Sequence, residues 1–168
     1  LFKRDFTENL IKKIVGSLIQ RGYFFQFWFF GTLMLIYLCL PILKKFLNSK
    51  KSYLYSLSLL VVIGLIFELA NIVFQMPAQT YVIQTFRLWT WFFYYLLGGF
   101  IAQFNKDIIK NRFKIWMKVV TVLLLLISPS ILFFLAKTTY HNLFAEYFYD
   151  ILFVKVVSLG IFLTILTL

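Results

Sequence analysis

Five long apolar runs, separated by short polar breaks, set the pattern of this chain. They cover about residues 23–43, 53–74, 86–104, 115–136 and 151–168. A helix needs about 20 mostly apolar residues to cross the hydrocarbon of a bilayer, so each run is a candidate span. The fifth stops inside its apolar stretch, "FLTILTL", and the first residue is Leu1 with no signal-peptide pattern before it. The chain is therefore expected to be an excerpt of a longer protein. No Gly/Ser linker, repeat or low-complexity tract divides it. The pattern predicts an all-α, polytopic transmembrane bundle of about five spanning helices in a single membrane domain, 1–168.

Ahead of the first run the period changes. Phe2, Phe6, Leu10, Ile14 and Leu18 recur at four-residue steps with charges mainly between them. Asp5 followed by Glu8 resembles a capping box with Asp in place of Ser or Thr. This predicts an N-terminal amphipathic helix lying in the membrane interface. A basic surface loop is the plainer alternative.

Composition agrees with the bilayer as solvent. Apolar residues make up 62% of the chain and charged residues 14%, and the mean hydropathy is +0.88. Soluble domains average about 45–50% apolar. The net charge of +11 would suggest nucleic acid in a soluble protein. Here the basic residues sit in short breaks between apolar runs, which is an orientation signal, so no nucleic-acid partner is predicted. Cys39 is the single cysteine, and no zinc motif, phosphate loop or serine-nucleophile elbow occurs. No metal is predicted, and membrane lipid is the expected environment.

The charge distribution predicts topology. Lys44, Lys45, Lys50 and Lys51 follow the first run, and Lys106, Lys110, Arg112 and Lys114 follow the third. The break "QMPAQTYVIQT" has no charge, and the last break sets Lys137 against Glu146 and Asp150. Both lysine-rich breaks are expected on the cytoplasmic side. The basic amphipathic segment then falls outside, held by its apolar face.

On that topology the polar residues within the runs share a depth. Gln26 and Trp28 lie in the outer half of the first run. Glu68, Asn71 and Gln75 are spaced by three and four in the second, on one helix face. Gln84, Arg87, Trp91 and Tyr94 form a stripe at the outer end of the third, and Lys155 is near the outer end of the fifth. An ionisable group at the centre of a span costs about 2.5–3.5 kcal/mol on insertion scales, so such groups face partners or a water-filled cavity. Two readings stand. Glu68 and Arg87 pair while the amides join helices. Or the groups line an outward polar cavity with aromatic walls, suited to a sugar or similar hydroxylated acceptor, with Gln26 facing that cavity or a partner helix.

Smaller signals complete the picture. Pro41 is expected to end or kink the first helix. Pro129 is expected to kink the fourth, with Ser128 and Ser130 covering freed backbone groups. Gly98 and Gly99 allow close approach of a neighbouring helix. Trp28, Trp89 and Trp91 read as an interfacial belt. His141, the single histidine, reads as a solvated loop residue.

Two stretches resemble a known family. "QFWFFGTLMLIYLCLPIL" resembles the aromatic "LWFL…LLxxYLxxPLL" helix of the integral-membrane acyltransferase family 3. "TFRLWTWFFYYLLGGFIAQ" resembles its later "R-x-W…YFLLGxxL" helix, with Arg87, Trp89 and Gly98 at matching places. The resemblance covers roughly residues 20–105 and the rest more loosely. It implies part of a multi-pass cell-membrane enzyme of about ten helices, moving an acyl group, often acetyl, from acetyl-CoA or another acyl-CoA. The implied acceptors are hydroxyls of extracytoplasmic sugars or cell-surface polysaccharide. Members often have His in "H-L-W-F" where this chain has Gln26, so a role tied to that imidazole does not carry over. The family's catalytic histidine lies in a first transmembrane helix, so catalysis is expected to rest on residues upstream, and this chain alone is expected to be inactive. Candidate acceptor-side residues are Gln26, Trp28, Glu68, Asn71, Arg87 and Tyr94. A transporter or flippase segment, or a non-catalytic membrane subunit, is the alternative.

Overall fold

A computed structural model describes residues 10–21, 24–74, 81–108, 113–141 and 149–166. Among them are six α-helices and no strand. They are α1 (Leu10–Leu18), α2 (Trp28–Phe46), α3 (Lys50–Phe74), α4 (Leu88–Ile108), α5 (Phe113–Leu135) and α6 (Leu152–Leu166). Short 3-10 turns, Phe25–Phe27 and Gln84–Phe86, lead into α2 and α4, and α5 runs on into a π-helical turn, Ala136–Tyr140.

All five apolar runs become helices. Three stretches have the length and hydropathy of a span: α2, α3 and Ile115–Tyr140. Helix α4 has 21 residues, but its Trp and Tyr rings carry polar atoms, which makes it less apolar than its neighbours. Helix α6 is apolar over its 15 residues. Only 11% of the most apolar window of Ile115–Tyr140 is buried against protein, and Leu126 is 71% exposed. Water would penalise such a surface at roughly 25 cal/mol per Å², and lipid accepts it. The protein is an all-α transmembrane bundle.

Helices α3 and α4 form an antiparallel hairpin around buried Leu57, Phe93 and Leu96. Helix α6 packs on α5 and touches α3. The α5–α6 contact is close because Gly160 faces Thr121, where an added Cβ would lie 2.8 Å from the threonine hydroxyl. Small residues that let backbones approach are the usual means of joining helices in lipid. The bundle therefore has a lysine end, at the α2–α3 connection, and a polar end, at the start of α2 and α6.

Neither proline ends its helix. Pro41 lies inside α2, which continues to Phe46, so it does not end the helix. Helix α5 likewise runs unbroken through Pro129. Proline at 129 cannot donate to the carbonyl four residues back, and Ser128 Oγ covers that carbonyl, donating to Leu125 O at 2.9 Å. The irregular backbone in α4 falls instead at Phe104 (φ −119°, ψ 16°).

Helix α1 carries part of the predicted stripe. Leu10 and Ile14 are exposed, with Val15 beside them, as an interfacial helix requires; Phe2, Phe6 and the Asp5–Glu8 start lie outside the described residues. Its C-terminal end is fastened to the bundle. Thr85 Oγ1 donates to Leu18 O at 2.8 Å, and Gln84 N donates to Gln20 Oε1 at 2.7 Å. A Cβ on Gly31 of α2 would stand 2.3 Å from Leu18 O, a backbone atom that no rotamer change can move. Gly31→Ala is therefore expected to undock α1 at a cost of about 1–3 kcal/mol. Tryptic cleavage at Lys12 and Lys13 should accelerate, while Gly98→Ala, whose Cβ meets nothing within 4 Å, should cleave like wild type.

Candidate functional site

The polar end is built around a buried lysine. Lys155 of α6 is 3% exposed, with Nζ 5.3 Å from the centre of the Phe93 ring. Its ammonium lies within electrostatic reach of Asp150 and Glu68. A Cβ on Gly64 would sit 2.5 Å from Nζ, so the missing side chain there makes the room. Glu68 Oε2 accepts from Leu152 N at 3.1 Å, at the first residue of α6. A carboxylate at a helix N-terminus satisfies an orphan N–H and meets the positive end of the dipole. Asp150, also buried, accepts from the hydroxyl of Thr90, which is wholly buried on α4. Asn71, 1% exposed, bonds the side chain of Tyr140 at the end of the π-helical turn. Four helices thus meet in one polar node.

Beside it stands an arginine corner. Arg87 is 3% exposed, and its Nε donates to Val82 O at 2.9 Å across the 3-10 turn. Trp91 Nε1 donates to Gln84 O at 2.7 Å. The same turn receives Thr32 of α2, whose hydroxyl lies 3.4 Å from Thr85 O. Trp91 packs on Trp28 with ring centres 4.9 Å apart, and on Tyr149 at 5.9 Å. Tyr94 continues the row 6.3 Å from Trp91, its hydroxyl directed at Tyr149 O. The result is a half-buried aromatic wall along α2 and α4.

At the lysine end lies an apolar cleft of about 810 Å³. Helix α2 contributes Leu40, Leu43 and Lys44, α3 contributes Tyr53, and α4 contributes Gly98 and Gly99. It runs along α4 from Tyr94 of the aromatic wall to the lysine end.

A family profile described as an acyltransferase domain, Acyl_transf_3, matches residues 3–168. The chain belongs to acyltransferase family 3. No protein of curated function matches it, nor does any solved structure. Within this acyltransferase chain the six predicted acceptor-side residues separate. Trp28, Arg87 and Tyr94 sit along the aromatic wall and its corner. Glu68 and Asn71 sit in the node. Gln26 joins neither: it lies in the 3-10 turn before α2 and is exposed, because the helix starts only at Trp28. Gln75 lies outside the described residues.

The expected Glu68–Arg87 pair is replaced by other partners. Glu68 turns to α6, and Arg87 Nε turns back to its own loop. The tryptophans also pack within the bundle. Trp28 and Trp91 pack on each other, and Trp89 stacks on Phe67 at 4.5 Å between α3 and α4. Reading the sequence missed Asp150, Thr90 and Tyr140. Asp150 directly precedes the fifth apolar run, a spacing compatible with a residue aimed back into the bundle. Thr90 and Tyr140 carry no comparable signal.

Proposed function

We propose that this chain is part of a single larger membrane domain, in the cell membrane, that transfers an acyl group from acyl-CoA to hydroxyls of extracytoplasmic sugars. The observation that carries this reading is the family match over residues 3–168. The two ends of the bundle support it, because they differ in chemistry. The lysines at 44, 45, 50 and 51 would draw the phosphates of CoA to one side. The aromatic wall of Trp28, Trp91, Tyr94 and Tyr149 offers ring faces to a sugar on the other, with Arg87 beside it. Acetyl is the acyl group first expected.

In the transfer the acceptor hydroxyl gives its proton to a base and its oxygen bonds the thioester carbon. The carbon–sulfur bond breaks, the base passes the proton on to the departing sulfur, and CoA leaves as the thiol. The base is expected from outside this chain. The node around Lys155 serves to hold α3, α4 and α6 in register behind the wall.

Membranes carrying the full-length protein, given acetyl-CoA labelled in its acetyl group, are expected to label cell-surface polysaccharide. Mild base should release the label as acetate, the mark of an ester. Label no higher than in membranes lacking the protein would overturn the reading. Unmodified sugar crossing the membrane without ester formation would point to a transporter or flippase.

A further inference from the structure

We propose that the cleft at the lysine end is a binding site for a hydrocarbon tail of an anionic phospholipid, with Lys44 meeting the phosphate. The cleft lies on α4 between Tyr94 and Ala102, which at 1.5 Å per residue makes it about 12 Å long. Its volume of about 810 Å³ is that of a ligand pocket. Leucines, a proline and two glycines form most of the wall. The hydroxyl of Tyr94 is engaged at the other end of its ring with Tyr149 O, which leaves Tyr53, Tyr95 and Lys44 as the polar groups of the lining.

This chemistry separates the possible occupants. The pantetheine arm of CoA carries two amides, and burying an amide without hydrogen bonds is unfavourable. A hydrocarbon tail needs no polar partner and matches the leucine walls. The charge at the mouth selects the head. Lys44 and Pro41 are exposed at the rim, Lys45 stands in the same last turn of α2 and Lys50 and Lys51 in the first turn of α3, with no Asp or Glu between residues 44 and 51. A lysine cluster at the end of a membrane helix attracts anionic lipid headgroups. The surrounding leaflet supplies such a molecule at high local concentration, with its tail already at this depth. The inference is independent of the acyl acceptor; it uses the same lysines that the proposed function turns toward CoA, and the acetyl-CoA arm of the experiment separates the two.

Gly98 gives the means of testing it. A Cβ there meets nothing within 4 Å, so the side chain of Gly98→Leu starts in open space and takes up room in the cleft. The full-length protein in mild detergent would be offered dioleoyl phosphatidylglycerol, dioleoyl phosphatidylcholine or acetyl-CoA, and followed by native mass spectrometry and by Tm. Wild type is expected to retain one phosphatidylglycerol and to melt higher with it than with phosphatidylcholine. Gly98→Leu should lose retention. Lys44→Gln, a change at an exposed position that leaves the packing intact, should weaken phosphatidylglycerol retention at least tenfold and leave phosphatidylcholine unaffected. Displacement of the lipid by acetyl-CoA would overturn the proposal in favour of a thioester-arm site. Undiminished retention in Gly98→Leu would overturn it too, because the lipid would then lie on the surface.

Discussion

Exchanging Lys155 for methionine is expected to cost the folded protein on the order of 1–3 kcal/mol, because the buried Asp150 carboxylate loses the field of a nearby cation. The ammonium lies near Asp150 and Glu68. Asp150 is 3% exposed, so its carboxylate has little water to fall back on once the cation is gone. Methionine fills similar volume, and the loss is therefore electrostatic rather than a cavity. Asp150→Asn in the Lys155→Met background should recover part of it, because the amide still accepts from Thr90 and carries no charge. A double-mutant cycle on Tm in detergent reads the coupling directly. Glu68→Gln should be milder, at about 0.3–1 kcal/mol for the charge at the α6 N-terminus, since an amide oxygen still reaches Leu152 N. Gly64→Ala should also be mild, because the Nζ it would meet ends a flexible side chain. A Lys155→Met protein melting with wild type would show that the ammonium does not hold the carboxylates.

The sequence made the bundle legible because lipid solvation imposes run length, and run length survives any packing arrangement. It also made Glu68, Asn71 and Arg87 stand out, because a polar residue in an apolar run must find a partner. Which partner it finds depends on helix rotation and on chain reversal, and neither is written in local spacing. Glu68 could reach Arg87 on the α3–α4 hairpin by depth alone. It turns to α6 because an uncapped helix N-terminus offers an N–H and a favourable dipole at the same height. Asp150 was counted as a loop charge because it precedes an apolar run, yet its side chain is buried and accepts from Thr90 of α4. The cleft was invisible for a related reason. Adjacent glycines at 98 and 99 suggested close helix contact, and Gly99 does face Tyr53, with the ring hydroxyl 3.5 Å from an added Cβ. Gly98 points about 100° away around the helix, where no neighbour fills the space.

Arg87→Ala is expected to lower the proposed acyl transfer at least tenfold, which corresponds to about 1.4 kcal/mol of transition-state stabilisation. Two effects contribute, and a companion variant separates them. The first is structural. Val82 O loses the Nε donor, and because that carbonyl is only half-buried the cost is at the low end of the ~1–3 kcal/mol for a buried one. The 3-10 turn that loosens is the one carrying Thr85 to Leu18 and Gln84 to Gln20, so α1 should become easier to cleave. The second effect belongs to the proposed acceptor site. A guanidinium beside Trp91 and Trp28 can donate to sugar hydroxyls, or to an oxygen that gains charge as the ester forms. Thr85→Val cuts the tie to Leu18 and leaves Arg87 in place, so it reproduces the loosening alone. Transfer should fall much further in Arg87→Ala than in Thr85→Val at matched protease sensitivity. Arg87→Lys should keep the positive charge and fail to restore transfer, since an ammonium cannot copy the planar fork that reaches Val82 O and a second acceptor together. Equal losses in Arg87→Ala and Thr85→Val would reduce Arg87 to a brace for the turn. Full transfer in Arg87→Ala would remove it from the acceptor site.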